Sequence, residues 1–183
     1  EYNPFEYIKT NILGTQNVIE ASINTNVKHL ISLSTDKASS PIHLYGSTKL
    51  AADKLVCAAY NIAGKKKINF SVVRYGNVLG SRGSILDYFL KLNMEKKPFR
   101  ITHKDMTRFN ITLLDACRMV DWCLNNAKGG EIFVPKIPSF KIIDMVNAIN
   151  SKGEIEYIGI RPGEKLHEEM ISSSDIRTTY DLG

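Results

Sequence analysis

The segment STDKASSPIHLYGSTK, Ser34 to Lys49, brings a carboxylate, two ammonium groups and a phenol into one short stretch. Tyr45 and Lys49 stand four residues apart, so on a helix they share a face. A phenol is a poor base at neutral pH, with a reference pKa of about 10. A neighbouring ammonium favours the phenolate, and the pair could then take a proton from a hydroxyl. Asp36 and Lys37 are adjacent. They set an acid and a base side by side. Each pair also has a plainer reading. Tyr45 and Lys49 could be a solvated helix face, and Asp36 and Lys37 a helix cap with a surface lysine.

Such residues need a scaffold that brings them to one rim. Between Pro4 and about Thr25 the apolar positions Ile8, Ile12, Leu13, Val18 and Ile19 recur at helical spacing. Pro4 suits a first turn, with Asn3 as its cap. HLISLS then reads as a short buried strand, LYGSTKLAADKLVCAAYNIAG as an amphipathic helix ending near Gly64, and INFSVVRYG as a second buried strand. Helix, strand, helix and strand with short connections predict parallel strands and a doubly wound α/β sheet. The active residues fall just past strand ends, where open α/β sheets place their ligands.

After Gly80 the segments shorten. GSRGS is a loop whose Ser84 caps the helix ILDYFLKLNMEKK. A strand FRIT, a loop HKDMTRFN, a helix from Leu113 to about Asn126, a strand EIFVP, a helix FKIIDMVNAIN, a strand IEYIGI, and a turn RPGEKLHEEM entering a last short helix follow. The expected division is residues 1–80, carrying the catalytic residues, and residues 81–183, a smaller mixed α/β substrate lobe. No Gly-rich strand–turn–helix fingerprint for a dinucleotide occurs, and the chain opens on what reads as an interior crossover helix. The expectation is the C-terminal part of a longer Rossmann-like protein, without its N-terminal nucleotide-binding half.

The 183 residues are 43% hydrophobic and 23% charged, an ordinary globular composition. No apolar run approaches a membrane span, and no basic region followed by an apolar stretch marks a signal peptide. The formal charge is +5. The basic residues are dispersed except in GKKK, Gly64 to Lys67, which reads as a loop, so no nucleic-acid partner is expected. A doubly phosphorylated substrate also suits a basic site. Cys57, Cys117 and Cys123 match no zinc or redox spacing and read as buried thiols of a reducing cytosol. The acceptor pattern NIT at Asn110 is discounted for lack of a secretory signal. Trp122 and the methionines Met94, Met106 and Met119 read as packing.

The Tyr-x-x-x-Lys pair resembles that of the short-chain dehydrogenase/reductase family. NILGT, Asn11 to Thr15, and RYGNV, Arg74 to Val78, resemble motifs of its extended members. Sugar-nucleotide 4,6-dehydratases of that group carry Thr-Asp-Glu where this chain has Thr35-Asp36-Lys37. The lysine, together with LYGSTK, VRYGNVLGSRGS, MTRFNIT, GGEIFVPKIPS and GIRPGEKLHEEM, is similar to the inverting UDP-N-acetylglucosamine 4,6-dehydratases of the polysaccharide-biosynthesis branch. Membrane-bound, configuration-retaining relatives typically carry Met where Tyr45 stands.

The resemblance implies roles. Tyr45 is the base toward the sugar 4-hydroxyl, Lys37 the base at C5, and Asp36 the acid for the departing 6-hydroxyl. Tyr45, Lys49, Tyr75 and Asn11 meet the cofactor, NADP, with NAD as the alternative. Lys9, Thr35, Asn77, Arg108, Arg161 and Glu164 meet the UDP-sugar. A cytoplasmic homo-oligomer supplying pseudaminic acid or surface-glycan synthesis is implied, with no metal. Alternatives stay open for several residues: a mid-helix polar residue for Asn11, a solvated helix face for Lys9, and a turn salt bridge between Arg161 and Glu164. A UDP-sugar 4-epimerase or 4-reductase would share Tyr45 and Lys49 without needing Asp36 and Lys37. A non-catalytic sugar-nucleotide-binding fragment is the alternative of another class.

Overall fold

The structure, a computed structural model, describes residues 3–25, 27–64 and 66–183; Lys65 of the basic GKKK loop lies outside them. In chain order the elements are α1 (Pro4–Tyr7), a π-helical segment (Ile8–Leu13), α2 (Gly14–Thr25), β1 (His29–Thr35), a 3₁₀ turn (Asp36–Ala38), α3 (Leu44–Ile62), β2 (Asn69–Tyr75), β3 (Asn77–Val78) and α4 (Ile85–Met94). Then come β4 (Phe99–Ile101), β5 (Thr107–Ile111), α5 (Leu113–Asn126), β6 (Ile132–Phe133), β7 (Ser139–Lys141), α6 (Ile142–Ile149), β8 (Ile155–Tyr157) and a 3₁₀ turn (Ile176–Thr178). Among the described residues no helix is long and apolar enough to cross a membrane.

The chain forms two compact units. One holds the described residues through Tyr75 with Cys117–Pro135 and Glu169–Gly183; the other holds Gly76–Ala116 and Lys136–Glu168. The units interleave along the sequence. Residues 117–135 and 169–183, placed by the sequence reading in the lobe after residue 80, cluster with the first unit.

In the first unit β1, β2 and β6 form a parallel sheet in that order, with His29 opposite Asn69 and Thr35 opposite Tyr75. This is the parallel arrangement expected from the helix–strand alternation. Residues Phe70 to Arg74 of β2 are all buried, so both faces of the strand are covered. The core joins Ile19 of α2, Val56 and Ala59 of α3, Ala63 and Ile68 in the connection, and Phe70 and Val72 of β2. α3 starts at His43, whose Nδ1 accepts from the Gly46 amide at 2.9 Å. Asn3 sits at the first cap position but makes no side-chain capping bond. Trp122 packs edge-on against Phe133 at 5.5 Å.

In the second unit β3 pairs in parallel with β5, β5 antiparallel with β7, and β4 in parallel with β8. Ser84 caps α4 as expected, accepting from the Asp87 amide. The core is Phe89, Leu92, Phe99, Ile101, Met106, Ile142 and Val146. Phe89 and Phe99 meet edge to face, with centroids 5.6 Å apart.

Two expectations fail in this unit. HKDMTRFN, read as a loop, contains most of β5. Its charged residues hid the strand because Arg108 is buried, donating to the Thr107 and Leu166 carbonyls at 2.7 and 3.3 Å. RPGEKLHEEM, read as a turn entering a last short helix, does not run into an α-helix, and the last helical element is the 3₁₀ turn Ile176–Thr178. The Leu166 carbonyl, which a helix would need, accepts the Thr107 amide at 3.1 Å as well as Arg108. Replacing Phe89 by Ala should lower the unfolding free energy by about 3–5 kcal/mol, read from the denaturant midpoint. An unchanged midpoint would show that the ring pair does not hold this core.

Candidate active site

The site grows from the carboxyl end of β1. Thr35 closes the strand in extended conformation and accepts the Lys37 amide at 3.3 Å, which turns the chain sharply. The 3₁₀ turn carries the Asp36 side chain wholly out of solvent. Thr35 Oγ1 donates to Asp36 Oδ1 at 2.9 Å, and Lys37 Nζ donates to the same oxygen at 3.0 Å. Asp36 Oδ2 is buried and has no hydrogen-bond partner among the described residues. An ionised carboxylate oxygen in that state is costly unless a donor reaches it, so the oxygen marks a place for one. The Lys37 side chain keeps 26% exposure, which leaves a path to it from outside.

Tyr45 lies in the first turn of α3. The Thr35 side chain is near enough to its hydroxyl to favour the phenolate. Tyr7 and His43 flank its ring, each with centroids 6.0 Å away. Hydrogen bonds therefore join Lys37, Asp36 and Thr35, and Tyr45 lies beside Thr35. Gly46 makes the close fit possible. A Cβ there would collide with the Lys37 carbonyl and lie 3.0 Å from Pro41 Cβ.

Lys49 follows one turn on, and its ammonium donates to the Leu33 carbonyl at 2.7 Å. Burial holds its pKa below the ordinary lysine value, and the Asp53 charge partly offsets that. Burial likewise raises the Tyr45 phenol, against the Thr35 side chain, which lowers it. The sequence argument expects the neighbouring ammonium to lower the phenol; here desolvation wins. The sign is clear: the phenolate becomes available only at higher pH than for a free tyrosine, unless further positive charge arrives. Ionised Tyr45 also sits near Asp36 and Tyr7, and both oppose its charge.

Asn11 lies inside the π-helical segment, where Gly14 donates to the Lys9 carbonyl five residues back. The wider turn aims Asn11 Nδ2 at Thr48 Oγ1, 3.0 Å away, and Thr48 in turn donates to the Tyr45 carbonyl at 3.0 Å. Thr15 donates to the Asn11 carbonyl at 2.7 Å. Asn11 is thus more than a stray helix polar residue; it braces the turn that carries Tyr45. Tyr75 ends β2 directly opposite Thr35 in register, and burial raises its phenol. Asn11, Thr35, Asp36, Lys37, Tyr45, Lys49 and Tyr75 thus share the first unit. Lys9, also in that unit, is exposed and pairs with Glu6 at 3.2 Å, as a solvated helix face would.

The remaining substrate candidates lie in the second unit. Asn77 of β3 faces Asn110 of β5 in register. Arg108 and Glu164 pair at 3.5 Å, and Arg161 reaches Glu164 at 3.2 Å. The turn salt bridge foreseen for Arg161 and Glu164 is present, with Arg161 largely exposed. Glu164 therefore gathers two guanidinium groups.

Sequence reasoning passed over two charged residues. Asp53 is fully buried and accepts from Ser34 Oγ at 2.8 Å and from Arg74 Nη2 at 3.1 Å. The signal was present: an acid four residues past Lys49, within the apolar face of an Ala-rich helix. Gly46 was overlooked too. Cys57 and Cys123 do lie in helices, and burial pushes both thiols up to about 11, which leaves them unreactive.

A family model described as "Polysaccharide biosynthesis protein" matches residues 1–183. A UDP-N-acetylglucosamine 4,6-dehydratase (inverting) from Campylobacter jejuni is 56% identical over 183 residues, covering 100% of this chain and 55% of the relative. A UDP-glucose 4-epimerase from Rickettsia rickettsii is 40% identical over 186 residues, covering 100% of this chain and 54% of the relative. The crystal structure of Pen from Bacillus thuringiensis has a TM-score of 0.93 at 39% identity, covering 100% of this chain and 60% of that one. The chain thus spans about half the length of the curated relatives it matches.

Gly46→Ala should lower stability by about 1–3 kcal/mol, as overpacking does, because the turn holding Lys37 must move. Thermal unfolding measures this. An unaltered midpoint would mean that the turn yields freely and does not fix these groups.

Proposed function

Because the chain belongs to the polysaccharide biosynthesis protein family, we propose that it carries the acid–base half of a sugar-nucleotide 4,6-dehydratase acting on UDP-N-acetylglucosamine and inverting C5. The observation that carries this reading is the pairing of buried Asp36 with half-buried Lys37, 3.0 Å apart, with Thr35 bonded to Asp36 and lying beside Tyr45. The high identity to an inverting enzyme of that name supports it.

A bound nicotinamide dinucleotide, NADP on the strength of the resemblance and NAD as the alternative, would accept hydride from C4 and return it at C6. Lys49 fits such a group: an ammonium has three donors, one faces the Leu33 carbonyl, and the others suit ribose hydroxyls. Asn11 and Tyr75 would complete its surroundings. Positive charge brought next to Tyr45 would oppose the desolvation that raises its phenol.

The residues then divide the work. Tyr45 takes the proton of the 4-hydroxyl, and the resulting 4-ketone acidifies the hydrogen on C5. Neutral Lys37 removes that hydrogen as a proton. Protonated Asp36 gives its proton to the 6-hydroxyl, the C6–O bond breaks, and water leaves. A proton entering C5 from the opposite face gives inversion and balances the one Tyr45 took. Elimination thus converts a neutral amine and a carboxylic acid into an ammonium and a carboxylate, the ion pair described above. Moving one proton back across 3.0 Å restores the reactive pair.

Thr35 couples this pair to Tyr45. A hydroxyl has one proton to donate. While Asp36 is a carboxylate, Thr35 directs that proton to Oδ1. Once Asp36 is protonated, Thr35 is free to donate to the Tyr45 phenolate. The acid form of one residue therefore favours the base form of the other. In the second unit, Asn77, Arg108, Arg161 and Glu164 would meet the UDP, since guanidinium forks suit phosphate oxygens. Lys9 is the weakest of the substrate candidates. A cytoplasmic homo-oligomer serving pseudaminic acid or surface-glycan synthesis completes the proposal.

A 4-epimerase is the second reading, favoured by the 40% identity to an enzyme of that name. It gives Asp36 and Lys37 no work. In the full-length protein, Asp36→Asn should leave reduction of the cofactor by UDP-N-acetylglucosamine measurable while lowering water loss by about 10²–10⁴-fold, followed by mass spectrometry of the product. Undiminished dehydration by that variant would remove Asp36 from the acid role.

A further inference from the structure

His43 is the residue on which α3 starts, two positions before Tyr45. Its backbone is extended (φ −145°, ψ 163°), and its Nδ1 accepts from the Gly46 amide at 2.9 Å. Its carbonyl accepts the Ser47 amide at 3.0 Å and the Ser47 hydroxyl at 3.1 Å. Ser, Thr, Asp and Asn are the usual side chains at such a cap. None of them turns from acceptor to donor near neutral pH; an imidazole does.

The His43 ring is also wedged in place. A Cβ on Gly46 would lie 3.2 Å from His43 Cε1 and 3.0 Å from Pro41 Cβ, and would collide with the Lys37 carbonyl. His43, Pro41 and Lys37 thus close around one glycine. The His43 and Tyr45 rings have centroids 6.0 Å apart and are tilted by 33°. The cap therefore sits between the residue that bears the phenol and the chain that follows the Asp36 turn. The ring is half-buried, so protons reach it from solvent. The catalytic scheme gives His43 no part.

Resting on the dehydratase reading for the role of Tyr45, we infer that His43 is a positioning residue: its neutral imidazole holds the first turn of α3, and protonation releases that turn and Tyr45 with it. Accepting at Nδ1 requires a lone pair there and places the ring hydrogen on Nε2. A further proton goes to Nδ1. Donor then faces donor, and the bond to Gly46 is lost. The new charge also lies at a helix N-terminus, where the peptide dipoles repel it. Both effects have one sign: the cap is present while the imidazole is neutral and is lost as pH falls. A free imidazole takes its proton around pH 6.5, so mild acid is enough.

The groups around the ring do not offset this. On α3 its neighbour is the Tyr45 phenol. On α1 and the π-helical segment, both packed against α3, Tyr7 faces Tyr45 and Glu6 pairs with Lys9. In the turn before the helix, Asp36 is held by Thr35 and Lys37. Glu169 accepts from Ser40 at 3.0 Å. Among the described residues no carboxylate pairs with the His43 ring.

The test uses the full-length protein. Hydrogen exchange of the peptide covering the first turn of α3, corrected for the intrinsic pH dependence of exchange, is compared at about pH 7.5 and about pH 5.5, either side of the imidazole range. The parent should lose protection roughly fivefold on acidification, the size of a lost cap. His43→Asn, whose Oδ1 accepts at both pH values, should keep its protection, and His43→Ala should be poorly protected at both. The kcat of His43→Asn relative to the parent should rise roughly fivefold from the higher pH to the lower, with KM little changed. Taking the ratio cancels the titration of Lys37 and Tyr45, which both proteins share. Protection that is independent of pH in the parent, or that falls equally in His43→Asn, overturns the proposal, as does a constant kcat ratio. If His43→Asn does not fold, His43→Ser takes its place and must meet the same conditions. Absence of dehydration in the parent would sink the dehydratase reading alone, because exchange at the first turn still reports on the cap.

Discussion

Taking the Asp36 carboxylate entirely out of water, with one oxygen held by two donors and the other by none, is the constraint around which the first unit is arranged. A carboxylate in that position is expensive to bury, so the fold must supply compensation. Thr35 and Lys37 supply it at Oδ1. Among the described residues nothing meets Oδ2. Strain of this kind is expected where a site is built for a ligand rather than for stability.

The same constraint fixes the neighbouring elements. Asp36 can turn inward only because β1 ends at Thr35 and the 3₁₀ turn follows at once. Tyr45 reaches Thr35 only because Gly46 lets the first turn of α3 pass the Lys37 carbonyl. The π-helical widening at Asn11 reaches this turn from the other side through Thr48. Behind it, Asp53 and Arg74 anchor the helix to β1 and β2. Packing, hydrogen bonding and charge converge on one helix turn.

Much of this was legible in the sequence. The alternation of apolar helices and strands gave α2, β1, α3 and β2 close to their true bounds, because parallel strands buried on both faces read as continuous apolar runs. The Tyr45–Lys49 spacing and the Asp36–Lys37 doublet pointed to one rim, and all four residues fall in the first unit. What was not legible depends on contacts distant in sequence. β5 looked like a loop because nothing local announces that Arg108 is buried against Leu166 and Glu164. The missing last helix has the same cause, since the Leu166 carbonyl is claimed by β5. Residues 117–135 and 169–183 joined the first unit through partners such as β2, which pairs with β6, and Arg74, which bonds Met170. The rise of the Tyr45 phenol was missed because spacing reveals charges but not desolvation.

The central claim is that Lys37 and Asp36 act as base and acid on adjacent sugar carbons. Turnover of UDP-N-acetylglucosamine by the full-length protein in deuterium oxide tests it most directly. The account requires a product lighter by one water and carrying solvent deuterium at C5. A product of unchanged mass, epimerised at C4 with no deuterium at C5, would contradict it.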